Sequence, residues 1–338
     1  MPPSVVCAPA SANRVSSLPR AEGEAPLSLA VLQDDAASPG DRMQVLKALR
    51  DSGAFFAPHE KTVRSLREHP LTLAQGGAQL VSAPSAVDFS SAEFRTTADF
   101  VEKTEKPSHL TYYEEVEKIA RDLLGEDVVH AWCTSHIIRD SQGNGAVDNA
   151  QAGEKAGPIR VVHNDFTEEY GDVTYQRLSD HPSQNAVNQR AQLKVMKGLE
   201  FSAEELEQYR MVVLNTWRPI TTDPLRREPL AVCDNRTIQK SDLMNVRTGI
   251  GQNEQDPDDD FALEVFMSMP NPEHQWHYVD EFTHDECMVF KTYDSDMFPF
   301  VPTMHSAFDL PEQEDQVNTP AITISCCECS TAKRTKQP

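Results

Sequence analysis

The chain has 338 residues, of which 39% are hydrophobic and 25% charged, a composition typical of a globular protein that buries a sizeable core. Its formal net charge of −22 argues against a general nucleic-acid binder or a protein of anionic membrane surfaces, because contact with phosphate needs a basic face. We therefore expect no nucleic-acid partner and no membrane partner.

The seven cysteines are odd in number and irregularly spaced, so they form neither the framework of a disulfide-rich secreted protein nor a zinc ribbon. The run Cys326-Cys327-Glu328-Cys329 has two interpretations, a soft-metal cluster or a strand end with incidental thiols. No signal-peptide pattern and no apolar run of membrane-spanning length is visible, and we expect a cytoplasmic protein.

The N-terminal part is predicted to be mostly helical. Residues 1–28 are rich in Pro, Ser and Ala without periodicity, which predicts a disordered arm. A helix is predicted over residues 40–49 and a clearer one over Tyr112–Leu124, whose apolar residues form one stripe and which Gly125 ends as a C-cap. We assign residues 29–127 to this helical part.

Short strands dominate the rest of the chain, broken by Pro and Asp turns. The strands are predicted over 128–139, 211–220, 230–234, 264–269, 275–279, 287–293 and 321–327. The segments between them include loops at 140–157 and 253–260, a short helix from the capping box at Ser202 to about Arg210, and a tail at 328–338. The pattern favours one domain over 29–330, mainly β with flanking helices, with a sandwich or barrel core over 128–327.

The triplet His163-Asn164-Asp165 is the first candidate for chemistry. On a strand, the side chains of residues two apart project from the same face, so one imidazole and one carboxylate can bind one ion. His305 would complete a two-histidine, one-carboxylate triad, which leaves positions open on Fe(II) for other ligands and O2. The spacing alone is weak, and His305 taken by itself fits a strand-end histidine bonded to the backbone better than a ligand.

Five ordered blocks of sequence give this triad a context. They are Val162–Gly171, Asn215–Ile220, Pro229–Asp234, Asp285–Ser295 and His305–Phe308. Together they resemble the fungal secondary-metabolism hydroxylase/desaturase family, relatives of the gibberellin desaturases, over roughly residues 100–325. The resemblance implies a double-stranded β-helix (jelly-roll, cupin-like) core, an Fe(II)- and 2-oxoglutarate-dependent oxygenase, and His163, Asp165 and His305 as the iron ligands.

One departure from the family pattern concerns the co-substrate. The family shows Arg-x-Ser-Ile-x-x-Arg after the last histidine, and its first arginine is expected to hold the distal carboxylate of 2-oxoglutarate. The corresponding stretch here runs from Thr319 to Ser325 without a basic residue. Arg218, in a middle strand, is our leading substitute, although a structural ion pair is an equally good interpretation of it. Arg334 in the tail is a weaker alternative.

The remaining site candidates rest on weaker signals. Thr167 is predicted to bind the co-substrate if the strand of Asp165 continues. The substrate pocket is predicted to be lined by six residues: His136, Arg139, Trp217, Tyr293, Ile322 and Ile324. For Trp217 and Tyr293 the alternative is an ordinary position in the hydrophobic core.

We therefore expect an oxygenase that uses Fe(II), 2-oxoglutarate and O2 to hydroxylate, desaturate or cyclise a small metabolite. A carboxylate-bearing substrate such as an amino acid is one hypothesis, prompted by Arg139 and Arg218. The competing hypothesis is an inactive relative that binds a metabolite or stabilises a partner enzyme, and the missing arginine at Thr319 is its main support. The sequence predicts no oligomeric state.

Overall fold

A computed structural model describes eight stretches of the backbone: 14–17, 57–90, 107–133, 136–144, 157–171, 209–249, 262–310 and 321–333. Side chains are described over narrower ranges: 61–90, 111–131, 133, 136–139, 157–171, 209–246 and 265–310. The structural statements below concern these residues. The predicted helices at 40–49 and after Ser202, the loop at 253–260, and both Thr319 and Arg334 lie outside them.

The described backbone is mainly β, with one α-helix, α1 (Pro107–Leu124). The strands in chain order are β1 (Arg14–Ser17), β2 (Ala57–Glu60), β3 (Val63–Ser65), β4 (Ala78–Ser82), β5 (Val128–Cys133), β6 (Ile137–Asn144), β7 (His163–Asn164), β8 (Tyr209–Pro219), β9 (Leu230–Cys233), β10 (Leu243–Gly249), β11 (Ala262–Ser268), β12 (Trp276–Tyr278), β13 (Glu286–Asp294), β14 (His305–Ala307) and β15 (Ala321–Lys333). Two short 3₁₀ turns, Asn235–Thr237 and Lys240–Asp242, follow β9.

These strands form two large sheets and one small ribbon. The first sheet has the order β10-β11-β7-β14-β9-β12-β3, and the second has the order β4-β13-β8-β15-β5, with β6 also paired to β15. Neighbours run antiparallel except β12 and β3, which are parallel. β1 and β2 pair separately. Local hairpins do not explain these orders, since β7, β14 and β9 are neighbours although far apart in sequence.

The strand β8 lies at the centre of the second sheet and is covered on both faces. Every residue from Met211 to Pro219 is buried, as expected for a strand with no solvent-facing side. Val212 and Leu214 pack in the cluster that includes α1, whereas Val213 and Trp217 pack in the other two apolar clusters. Alternate residues of β8 therefore face α1 on one side and the first sheet on the other.

Helix α1 covers the outer face of the second sheet. Tyr112, Tyr113, Val116 and Ala120 are buried along it, which is the apolar stripe expected of an amphipathic helix. Gly125 follows with φ of 95°, and its N–H donates to the carbonyl of Arg121 at 2.9 Å. The predicted helix and its glycine C-cap are confirmed, although the helix begins five residues earlier than Tyr112.

Several predicted boundaries were wrong. The strand predicted over 128–139 is two strands, and β6 continues to Asn144, into the predicted loop. The predicted helical part contains β2, β3 and β4, which are too short for their alternation to be recognised among turns. β10 was missed, β1 lies within the predicted disordered arm, and β15 extends to Lys333, into the predicted tail.

Candidate metal centre

Three side chains from two neighbouring strands meet between the two sheets. His163 on β7 pairs in register with His305 on β14, and Asp165 directly follows β7. Nε2 of His163 lies 3.6 Å from Oδ1 of Asp165, and Nε2 of His305 lies 3.9 Å from Oδ2 of the same carboxylate. One ligand atom from each residue lies within 4.8 Å of the others, a spacing that suits three ligands of one ion.

The two imidazoles are held in the tautomer that a metal needs. Nδ1 of His163 lies 2.7 Å from the carbonyl oxygen of Val161, and Nδ1 of His305 lies 3.2 Å from that of Thr303. A carbonyl oxygen can only accept, so each Nδ1 carries the proton and donates. Each Nε2 is then left with its lone pair towards the centre, which is the usual outer support of a metal-bound histidine.

Burial keeps both histidines neutral. It lowers the pKa of His163 below its ordinary value and that of His305 to about 4, since an imidazolium is poorly solvated there. Burial alone would raise the pKa of Asp165, but the two histidines and a hydrogen bond from Asn215 hold that pKa below its ordinary value. The donor set is therefore two neutral nitrogens and one carboxylate, without proton loss before metal binding.

Asn215 on β8 ties the carboxylate to the second sheet. Its Nδ2 donates to Oδ2 of Asp165 at 2.7 Å, across 50 positions of sequence. Sequence reasoning missed this role, although Asn215 opens one of the five blocks. The available signal was the single amide of a strand with a long apolar run, which needs a polar partner when buried.

Aromatic side chains lie on the triad side of the second sheet. The ring of Phe290 on β13 lies 4.7 Å from that of His305, and Trp217 belongs to the same apolar cluster as Phe290. Tyr293 lies 5.4 Å from Tyr170, with its hydroxyl against Gly171, where a Cβ would collide with it. Trp217 and Tyr293 thus face the side of the second sheet that carries Asn215, while Phe290 is an additional residue that sequence reasoning missed.

The prediction that Arg218 holds the co-substrate is wrong. Its guanidinium is buried on the opposite face of β8, 5.3 Å from the ring of Tyr112 and 5.7 Å from that of Phe89. Nη1 donates to the carbonyl of His284 at 3.2 Å. Side chains alternate along β8, so Asn215 points to the triad and Arg218, three positions on, points to α1.

His136 also lies away from the predicted pocket. Its Nδ1 is 2.8 Å from the hydroxyl of Tyr113 on α1, so the ring packs against the helix. Arg139, an odd number of positions later, is placed differently: its positive charge acts on the pKa of all three triad residues. Arg139 therefore differs from His136, whose ring packs against α1.

The premise for Thr167 was wrong, because the strand of His163 ends at Asn164. Thr167 instead opens a turn, with its carbonyl accepting from Tyr170 N–H at 3.3 Å. Ile322 pairs in register with Arg218 and Ile324 with Thr216. Their side chains lie outside the described part of the chain, so their place in the pocket stays a prediction.

The geometry matches what comparisons with known proteins show. A family model described as Oxidoreductase/YMDC permease-like domain matches residues 32–326. The chain belongs to this family. Its sequence is 28% identical over 241 residues to that of the hydroxylase/desaturase efuI of Hormonema carpetanum, and the match covers 68% of each chain.

The chain is also similar to a second relative and to a solved structure. It is 27% identical over 257 residues to the alpha-ketoglutarate-dependent dioxygenase phiK of a fungal species, covering 75% of this chain and 78% of the other. The solved structure of the iron and alpha-ketoglutarate-dependent endoperoxidase NvfI superposes with a TM-score of 0.58 at 22% identity, over 83% of this chain and 89% of that one. The predicted resemblance to hydroxylase/desaturases and iron-dependent dioxygenases is confirmed.

Among the residues that the structure describes, no helix combines the length and the apolarity needed to cross a membrane.

Proposed function

We propose that this chain is a non-haem oxygenase that uses Fe(II), 2-oxoglutarate and O2 to hydroxylate, desaturate or oxidatively cyclise a small metabolite of secondary metabolism. The observation that carries the proposal is the buried cluster of His163, Asp165 and His305, with both Nε2 atoms available. Its relatives efuI and phiK, a hydroxylase/desaturase and an alpha-ketoglutarate-dependent dioxygenase, support the same reaction class.

We also propose that the two sheets form a jelly roll within a single domain over 29–330. The first sheet has seven strands and the second has six; four neighbouring strands of each, β7-β14-β9-β12 and β13-β8-β15-β5, supply the two four-stranded sheets of that architecture. The hydrogen bond from Asn215 to Asp165 and the ring contact of Phe290 with His305 both join one sheet to the other at the site.

The residues present fit a divalent iron. His163, Asp165 and His305 would hold the ion, which with 2-oxoglutarate supplies the oxidising chemistry through decarboxylation of the keto acid by O2. The protein's own contribution is positioning: Val161 and Thr303 carbonyls hold the rings, and Asn215 holds the carboxylate. Phe290 and Trp217 provide an apolar wall that excludes water.

Trp217 and Tyr293 are the aromatic residues that we propose line the substrate pocket. Both aromatic side chains are buried on the triad side of the second sheet. Among the described residues, the thiols of Cys133, Cys233 and Cys287 are buried, which supports a reducing, cytoplasmic location.

The triad gives no support to the alternative of an inactive relative, because all three ligand residues are present and each keeps a ligand atom available for the ion. It depended on the absent arginine near Thr319, which concerns the co-substrate rather than the iron.

The first prediction tests the iron site. Anaerobic addition of Fe(II) and 2-oxoglutarate to the protein should give a weak visible charge-transfer band, and His163→Ala should abolish both that band and tight iron binding. Loss of one of three ligands removes most of the affinity of such a site. Metal titration followed by absorption measures both effects.

His69→Ala is the matched control, because His69 is exposed and lies outside the cluster. It should bind iron as the unchanged protein does. Retention of tight, stoichiometric iron by His163→Ala would refute the triad. Iron binding without any charge-transfer band would refute dependence on 2-oxoglutarate.

A further inference from the structure

The strand that carries His163 does not carry Asp165. β7 ends at Asn164, and the chain bends at Asp165. The alternation of side chains along a strand, which predicted that both ligands project from one face, therefore does not place the carboxylate. Asp165 also lies beyond the backbone pairing of β7 with its neighbours, which reaches only Asn164. A contact other than strand pairing has to hold the backbone that presents this ligand.

The side chain of Asn164 closes the backbone around Asp165. Its Nδ2 donates to the carbonyl oxygen of Phe166 at 2.6 Å, so the residues before and after the ligand are tied together. Asn164 is fully buried, with a relative exposure of 0%. A short amide bonded to the backbone two residues on is a local device that holds a turn. This bond restricts the backbone rotation that would turn the carboxylate away from the centre.

The same amide joins this turn to the second sheet. Nδ2 of Asn164 also donates to the carbonyl oxygen of Thr292 on β13, at 2.9 Å and across 128 positions of sequence. Thr292 is the extra residue of a β-bulge, since its neighbours Lys291 and Tyr293 pair with consecutive residues of β8. A bulge leaves its extra residue unpaired in the ladder, so the carbonyl of Thr292 can accept from a side chain instead.

Two amides thus hold Asp165, each in its own way. Asn215 binds the carboxylate itself, whereas Asn164 binds the main chain beside it. Both connect the ligand to the second sheet, because Asn215 belongs to β8 and Thr292 to β13, which is paired with β8. The two histidine ligands lie on strands that pair in register, so the sheet itself holds their backbone.

We infer that Asn164 is a positioning residue of the iron site: its amide, bonded to the carbonyl oxygens of Phe166 and Thr292, fixes the turn that presents the carboxylate of Asp165 to the ion. The inference rests on the proposed function, because it concerns one of the three iron ligands. Without the amide the turn would be free to rotate. The carboxylate would then lose conformational freedom on metal binding, which weakens the binding.

The second prediction concerns Asn164→Ala. The variant should bind Fe(II) about 10- to 100-fold more weakly than the unchanged protein, the usual effect of losing an outer partner of a metal ligand. Anaerobic equilibrium titration with Fe(II) measures the dissociation constant without turnover. Asn164→Leu nearly keeps the volume of the side chain but has no donor. It should show the same loss, because the turn depends on the hydrogen bonds of the amide rather than on its bulk.

Asn271→Ala is the matched control for a general loss of structure. Asn271 is also buried, and its Nδ2 also makes two hydrogen bonds, to the two carboxylate oxygens of Asp242 at 3.2 and 3.0 Å. Neither bond involves the triad. In denaturant unfolding this variant should lose stability as Asn164→Ala does, but its iron affinity should equal that of the unchanged protein.

A second background shows whether Asn164 acts through Asp165. Asp165→Ala leaves the two histidines, which should still bind Fe(II) weakly. In that background, Asn164→Ala should change the dissociation constant by less than about twofold, since the ligand that the amide positions is absent. A purely structural role of Asn164 would instead lower the affinity by the same factor with and without Asp165.

The outcomes separate the inference from the proposed function. Unchanged iron affinity in Asn164→Ala and Asn164→Leu, or an equal loss in both backgrounds, would overturn the inference alone. Failure of the unchanged protein to bind Fe(II) would overturn both. Bound iron without a charge-transfer band on addition of 2-oxoglutarate would overturn the proposed function, whereas the iron affinities would still decide the role of Asn164.

Discussion

Asp165 receives a 2.7 Å hydrogen bond from Asn215 at one carboxylate oxygen, which leaves Oδ1 towards His163. A monodentate carboxylate ligand is effective only if its rotation is restricted, because a freely rotating group loses entropy on metal binding. The amide therefore matters although it does not touch the metal position. At the scale of single residues, the site is a set of ligands and the groups that orient them.

The third prediction concerns Asn215→Ala. Removing the amide should weaken Fe(II) binding by about 10- to 100-fold, the usual cost of losing an outer partner of a metal ligand. Equilibrium titration with Fe(II) under anaerobic conditions measures the change. Asn245→Ala provides the control, since Asn245 is exposed on β10 and its loss should leave iron affinity unchanged.

Unchanged iron affinity in Asn215→Ala would show that Asp165 needs no orientation by the second sheet. Rescue by Asn215→Gln is not expected, because the longer side chain displaces the donor from the carboxylate.

At the scale of elements, β8 shows why neighbouring residues have unrelated roles. Asn215 faces the first sheet, while Arg218 lies between Tyr112 and Phe89 under α1. A guanidinium over aromatic faces gains cation–π attraction, and its burial raises the cost of removing it. Arg218 is thus part of how the helix docks on the sheet.

The fourth prediction follows from this docking. Arg218→Ala should lower the free energy of unfolding by about 2 to 3 kcal/mol, through lost packing and cation–π contacts. Denaturant unfolding measures the loss. The dissociation constant of 2-oxoglutarate should not change in the variant, since the guanidinium faces away from the triad.

Val87→Ala, a partly buried neighbour of the same apolar cluster, is a suitable comparison for general loss of packing. A stable Arg218→Ala variant with strongly weakened 2-oxoglutarate binding would contradict this assignment and restore the original hypothesis for Arg218.

At the scale of the whole molecule, several histidines are enclosed by the packing of the sheets. His277 on β12 is 3% exposed, and neither ring nitrogen has a hydrogen-bond partner. Burial lowers its pKa to about 4, as it does that of His305. An unfolded chain protonates these rings near their ordinary pKa of 6.5, whereas the folded protein does so only near 4.

The fifth prediction is the resulting pH dependence. The metal-free protein should keep its full stability above about pH 6.5 and lose it as the pH falls towards 4, because the unfolded state binds protons first. His277→Leu should make this decline shallower. Unfolding by denaturant at a series of pH values measures both slopes.

An identical slope in His277→Leu and the unchanged protein would show that His277 titrates equally in both states. Lowered carboxylate pKa values, such as that of Asp294, add a further loss at still lower pH, in the same direction.

Much of this protein is readable from local pattern and ordered motifs. The amphipathic stripe before Gly125, the buried strands β8 and β13, and the ligands His163, Asp165 and His305 depend on residue type and spacing, which are properties of the linear chain. The direction of a side chain within a sheet is different, because one position of register turns it to the other face.

The direction of the side chain distinguishes Arg218 from Arg139. Arg218 and Arg139 are both cations in β-like segments near the iron motif, and nothing in their local sequence separates them. Pairing of β15 with β8 and β6, together with the packing of α1 over one face, buries Arg218 under the helix and places Arg139, through Ala321, in register with Pro219 on the other face. The three ligands were therefore evident from the chain, whereas the side chains that orient them depended on how the two sheets pack.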